Sequence, residues 1–149
     1  MRKFILLAIF FLLGAFSLSV QTILIREYLI SFEGNELAIG IFYASWFFWI
    51  ALGASLVIWK NKISEYFLSF LLLYPLSAFS EFILFRIFRK LAGIQPWELF
   101  LITKALPVSF FVNLPFSLLT GLIFSSGCRF LKTAEEKDAQ VVSLSLIHI

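Results

Sequence analysis

Residues 37–59 read LAIGIFYASWFFWIALGASLVIW, 23 consecutive positions without a charge. A helix needs roughly 20 apolar residues to cross about 30 Å of hydrocarbon, so this stretch is long enough to span a bilayer. It does not alternate with the two-residue period of a membrane strand, which excludes a barrel. Outward from it the pattern recurs. Residues 4–25 and 105–128 are uncharged, and residues 66–85 are interrupted only by Glu81. The expected fold is therefore all-α, a four-transmembrane-helix bundle with spans at about 4–28, 37–59, 64–88 and 98–131 and a transmembrane domain covering 1–132. Between spans three and four, residues 86–97 carry Arg86, Arg89, Lys90, Gly93 and Pro96. They read as a short interfacial helix that rests Ile87, Phe88 and Leu91 on the acyl chains and ends at a Gly/Pro turn. Pro75, Pro107 and Pro115 fall inside spans and are expected to kink them.

Composition agrees. The 149 residues are 61% hydrophobic and 14% charged, with a mean hydropathy of +0.98. A soluble domain carries about 25% charged residues, so an ordinary soluble class is excluded. A single Cys and a single His exclude an intramolecular disulfide and a Cys/His metal site. Cys128 reads as a small buried hydrophobe. The seven Gly are too widely spaced for a phosphate cradle. No catalytic residue, metal ligand or cofactor is assigned, and the expected surroundings are the lipid bilayer rather than nucleic acid.

Orientation follows from the cations near span ends. Arg2, Lys3, Lys60, Lys62, Arg129, Lys132 and Lys137 share one side, and Arg26, Arg86, Arg89 and Lys90 the other. The excess favours a multi-pass protein of the cell inner membrane with both termini in the cytoplasm. The first span has a rival reading, since Arg2 and Lys3, an apolar stretch and Ser17-Leu18-Ser19 also describe a cleavable signal peptide.

Two polar groups stand out. The first is the hairpin after span one, with Gln21, Arg26, Glu27, Gly34, Asn35 and Glu36. At 1.5 Å per residue Arg26 lies about 33 Å from Phe4, at the far interface. The group reads either as a small polar site with Arg26 pairing or binding an anion, or as a solvated loop in which Arg26 snorkels and Gly34-Asn35 turns the chain. The second is Glu81 with Lys104, each about 10 Å below the same face if spans three and four are antiparallel. Isolated charges there are costly, so an intramembrane ion pair is expected, acting to fix register or as a relay. Gly40 with Ala44, Ala51 with Ser55 and Gly121 with Ser125 mark expected close helix contacts.

Taken together, Gln21, Ile25-Arg26-Glu27, Phe32, Gly34-Asn35-Glu36-Leu37, Gly40, Trp46 and Ala51-Leu52-Gly53 resemble the opening of membrane-embedded, spermidine-synthase-like proteins. Leu114-Pro115, Gly121, Phe124 and Arg129 resemble that group's fourth span. The resemblance implies a membrane region preceding a Rossmann-type aminopropyltransferase-like domain. No Gly-rich loop or βαβ pattern of such a domain occurs here, so no catalytic residue carries over.

Past Lys132, the polar residues Glu135 to Asp138 read as the start of a cytoplasmic linker over 133–143. The last six residues, 144–149, match one frame of a transposase adapter and are expected to be artefactual. On this basis the chain is expected to be the N-terminal membrane anchor or transport-like region of a spermidine-synthase-like membrane protein, lacking the aminopropyltransferase domain, its partners being further spans or a cytoplasmic domain. The alternative is a fragment or subunit of a secondary transporter, and a third reading is a purely structural subunit.

Overall fold

In a computed structural model the described residues are almost entirely helical. The structure describes residues 2–31, 36–91, 93 and 102–147, the side chains of residues 2–3, 5–7, 61, 88–89, 91, 102–105 and 133–147 excepted. The helices are α1 (Arg2–Ser31), α2 (Glu36–Trp59), α3 (Phe67–Leu91), α4 (Ile102–Val112) and α5 (Leu114–Ile147), with a 3-10 turn over Asn61–Tyr66. Among the described residues there is no strand. Four segments are long and apolar enough to cross a membrane: Ala8–Ser31, Glu36–Trp59, Lys62–Ile87 and Leu114–Lys132. The all-α, four-span expectation holds.

The connections follow from local chemistry. Lys60 adopts an extended conformation (φ −119°, ψ 94°) and ends α2, and the 3-10 turn hands the chain to α3. At the other end of α3 lies the first half of the expected interfacial helix. Arg86 to Leu91 continue α3 because nothing between Phe82 and Leu91 interrupts the helical ladder. The chain turns at Gly93, whose φ of +66° suits a residue without a Cβ. The Gly93 N–H donates to the Lys90 carbonyl at 3.1 Å and satisfies one terminal acceptor. The remainder of that segment lies outside the described residues. Pro75 and Pro107 sit inside α3 and α4 without ending them. The interruption falls instead at Asn113, so the span expected over 98–131 is divided into α4 and α5, of which α5 supplies the segment long and apolar enough to cross. α5 then runs past Lys132 to Ile147, which makes the segment read as a linker a continuation of the same helix.

α5 packs most extensively on α2 and next on α3, while α1 lies chiefly against α3. The α2–α5 seam depends on two glycines. A Cβ on Gly53 would strike the Leu118 carbonyl, and one on Gly121 would strike the Ile50 carbonyl. Such close backbone approach replaces hydrophobic driving force where the surroundings are themselves apolar. Gly121 was an expected contact. Gly40 was another, but its Cβ position is open, and Ala51 and Ser55 are exposed. Gly53 does the work expected of them.

The core is a chain of aromatic rings. Tyr28 meets Phe42 at 5.2 Å and Phe85 at 5.6 Å, Phe42 meets Trp46 at 5.5 Å, and Trp46 meets Phe116 at 5.6 Å. Phe116 stacks on Tyr74 at 4.5 Å with the planes 7° apart. Phe4, Phe11, Leu72, Leu76, Phe79, Phe111 and Phe124 point outward, as expected when the outer solvent is lipid. Cys128 is exposed on this outer surface, contrary to its reading as a buried residue.

Candidate functional site

The site is built around the break in span four. Asn113 and Pro115 both work against a continuous helix. Proline has no N–H to offer the Phe111 carbonyl and disfavours helical geometry at Leu114. The asparagine side chain competes for backbone partners. The Asn113 N–H still closes α4 by donating to the Ser109 carbonyl at 3.0 Å. The Ser117 N–H donates to the Asn113 carbonyl at 3.4 Å to begin α5, and the Ser117 hydroxyl donates to that same carbonyl.

A helix start inside an apolar layer leaves backbone donors that neither water nor lipid can satisfy. Here other helices partner one such donor, a carbonyl at the end of α4 and the Asn113 side chain. The Phe116 N–H donates to Glu81 Oε2 of α3 at 3.1 Å. The Trp49 Nε1–H of α2 donates to the Phe110 carbonyl at 2.7 Å. Asn113 Nδ2 donates to the Phe42 carbonyl at 3.2 Å and to Ser45 Oγ at 2.5 Å. Ser45 Oγ in turn donates to the Phe42 carbonyl at 2.8 Å.

Two hydroxyl pairs flank the break along the α4–α5 axis. Tyr28 of α1 and Ser109 of α4 hydrogen-bond at 2.7 Å. On the other side, Thr120 donates to the Phe116 carbonyl at 2.8 Å. Thr120 and Tyr74 of α3 also hydrogen-bond, at 2.9 Å. Every helix thus contributes a polar group at or beside the break.

Glu81 is the chemical centre. It is fully buried (0% exposed), and its carboxylate stands at the N-terminus of α5, where the helix dipole favours negative charge. Its second oxygen, Oε1, has no hydrogen-bond partner, and neither has Oδ1 of the equally buried Asn113. Two orphaned acceptors on adjoining helices leave room in the bonding scheme for a donor or a cation that the chain itself does not supply.

Of the residues singled out in the sequence, Glu81 is in this site and Lys104 falls in α4, its side chain lying outside the described residues together with the expected ion pair. What Glu81 does hold is a backbone amide. Of the hairpin group, Gln21, Arg26, Glu27 and Glu36 are among the described residues. Glu27 Oε2 pairs with Arg86 Nε of α3 at 3.0 Å, and Arg86 Nη2 donates to Glu27 Oε1 at 3.2 Å. Arg86 also lies over the Phe82 ring at 5.1 Å. Arg26 is exposed, Gln21 is half-buried, and Glu36 opens α2 on an exposed first turn. Gly34 and Asn35 lie outside the described residues. Sequence reasoning missed Asn113, Trp49, Ser45, Ser109 and Tyr28. The signal that could have found the site is Asn113-Leu114-Pro115, a polar residue and a helix breaker together inside a charge-free run. Among the described residues, no three His, Cys, Asp or Glu gather as metal ligands.

Comparison with protein-family models, curated proteins and solved structures finds no match to this chain.

Proposed function

We propose that the chain is a transport-type integral membrane module, its orientation placing both termini in the cytoplasm, with its working site at the broken fourth span. The observation that carries this reading is the bond from the Phe116 N–H, at the broken helix start, to a fully buried Glu81 whose second oxygen is unpartnered. Discontinuous helices whose half-helix N-termini face a charged group are the usual construction of substrate and ion sites in secondary transporters. Ionisable residues inside a membrane are expensive, and a purely packing role is served as well by an apolar side chain.

The reading as a membrane anchor of a spermidine-synthase-like protein rests on the ordered residues from Gln21 to Gly53 and on Leu114-Pro115, Gly121, Phe124 and Arg129. The two readings separate experimentally, because a transport site must be reachable from water and an anchor's interior need not be. The test uses the Cys128→Ser chain in sealed lipid vesicles, with Ser109→Cys or Ser117→Cys introduced singly. A membrane-impermeant thiol reagent is applied from each side. Labelling at the break from at least one side supports transport. Complete protection from both sides, with Cys residues at the helix ends labelled normally, supports the anchor.

A further inference from the structure

We propose that Glu81 is a proton-loading group: Oε1 takes up and releases a proton while Oε2 remains on the Phe116 N–H. This rests on the transport-type reading of the same site and names its substrate class. In the loaded state the Oε1–H bond is formed and the carboxyl is neutral. In the unloaded state the proton has passed to water, directly or through a neighbouring hydroxyl that accepts it and releases its own, and the carboxylate charge faces the α5 N-terminus. No other bond is made or broken.

The surroundings favour a proton over a metal ion. Hard cations take six or more oxygens at close range. At the break the Phe42 carbonyl already accepts from Asn113 and Ser45, and the Phe110 carbonyl accepts from Trp49. Among the described residues, the buried side-chain oxygens without a partner at this level are Glu81 Oε1 and Asn113 Oδ1. With one carboxylate oxygen and one amide oxygen free, and no group of three His, Cys, Asp or Glu among the described residues, the site suits a proton carrier beside a hydrogen-bond acceptor.

The groups that share this region include few charges. From α1 come Tyr28, hydrogen-bonded to Ser109, and Glu27, neutralised by Arg86. α2 presents Phe42, Ser45 and Trp46, none of which titrates. α5 presents the Phe116 amide and, a turn later, Thr120. α3 itself adds Tyr74 on one side of Glu81 and Arg86, committed to Glu27, on the other. The Tyr28–Ser109 and Tyr74–Thr120 pairs lie toward opposite ends of the bundle, so hydroxyls able to pass a proton stand on both sides of the carboxyl. α4 carries Lys104, the cation whose approach would replace the proton, and the test therefore includes it.

The experiment is infrared difference spectroscopy of the whole chain in lipid vesicles, unlabelled and carrying carbonyl-13C glutamate, across a pH titration. A carbonyl band of a protonated carboxylic acid that shifts with the glutamate label, disappears as pH is raised and returns as it is lowered is the expected result. Glu81→Gln, which keeps an acceptor for the Phe116 N–H, removes that band. Glu27→Gln and Lys104→Met leave it in place. A Glu81 band that persists unchanged across the titration, or one that is absent in the unaltered chain and emerges only in Lys104→Met, overturns the proposal. The wild-type label shift stands even if Glu81→Gln fails to fold. Failure of the transport reading shows separately, as thiol protection at Ser109→Cys and Ser117→Cys with a titrating Glu81 band intact.

Discussion

Glu81 of α3 and Phe116 of α5 are joined by a side-chain-to-backbone hydrogen bond of 3.1 Å at a helix break inside the membrane-spanning bundle. The relationship reverses the usual capping arrangement. An N-cap side chain satisfies the amide three residues on within its own helix. Here Asn113 occupies that position but turns to Phe42 and Ser45 of α2, and a carboxyl from another helix serves in its place. Span four is thereby stitched to α2 through Asn113 and to α3 through Glu81.

Replacing Glu81 separates capping from charge. Glu81→Gln keeps an oxygen for the Phe116 N–H and is expected to unfold within about 1 kcal/mol of the unaltered chain, since a neutral hydrogen bond replaces a charge-assisted one. Glu81→Ala leaves the amide unsatisfied in an apolar layer and is expected to cost about 1–3 kcal/mol beyond the lost volume. Unfolding titrations in mixed micelles, followed by far-ultraviolet circular dichroism, give both values. Equal stability of the two variants would contradict the capping role.

Asn113 has a sharper signature. Asn113→Asp exchanges the Nδ2 donor for an acceptor facing the Phe42 carbonyl, so it is expected to destabilise more than Asn113→Ala. Each variant loses about 1–3 kcal/mol for the groups left unpaired. The same titrations rank them, and Ala falling below Asp would show that the bond to Phe42 contributes little.

The glycines divide by the space around them. Gly53→Ala and Gly121→Ala drive a methyl into a facing carbonyl, which is expected to cost about 1–3 kcal/mol as α2 and α5 move apart. Gly14→Ala and Gly40→Ala meet open space and are expected to stabilise the helices by about 0.5–1 kcal/mol. Opposite signs in one set of unfolding curves are the readout.

The Glu27–Arg86 pair is a surface contact, with Arg86 62% and Glu27 18% exposed. A double-mutant cycle with Glu27→Gln and Arg86→Gln is expected to give a coupling of about 0.2–1 kcal/mol that shrinks as salt is raised. A large, salt-independent coupling would mean that the pair is buried in the assembled membrane protein.

The bundle was legible because its signal is coarse. Charge-free runs long enough to cross a membrane place α1, α2 and α3 within a few residues, and Gly121 marked one side of the α2–α5 seam. The site was legible only in part, for physical reasons. Glu81 announced itself as an isolated charge, and the natural search was for a cation such as Lys104. A carboxyl is also satisfied by a backbone amide, which no residue type reveals. The amide is free because Asn113 and Pro115 break the helix, and within an apolar run an uncharged Asn carries almost no signal. Glu27 and Arg86 were assigned to different polar groups because sequence distance hid that α1 and α3 end side by side.

The central claim is that Glu81 closes the N-terminus of a broken span. Solid-state nuclear magnetic resonance on the chain in lipid, with 13C at the glutamate side-chain carboxyl and 15N at phenylalanine amides, measures this most directly. A dipolar coupling between Glu81 Cδ and the Phe116 nitrogen, lost in Glu81→Ala, is the result expected. The absence of that coupling, with one instead between Glu81 Cδ and a 15N-labelled Lys104 side chain, would contradict it.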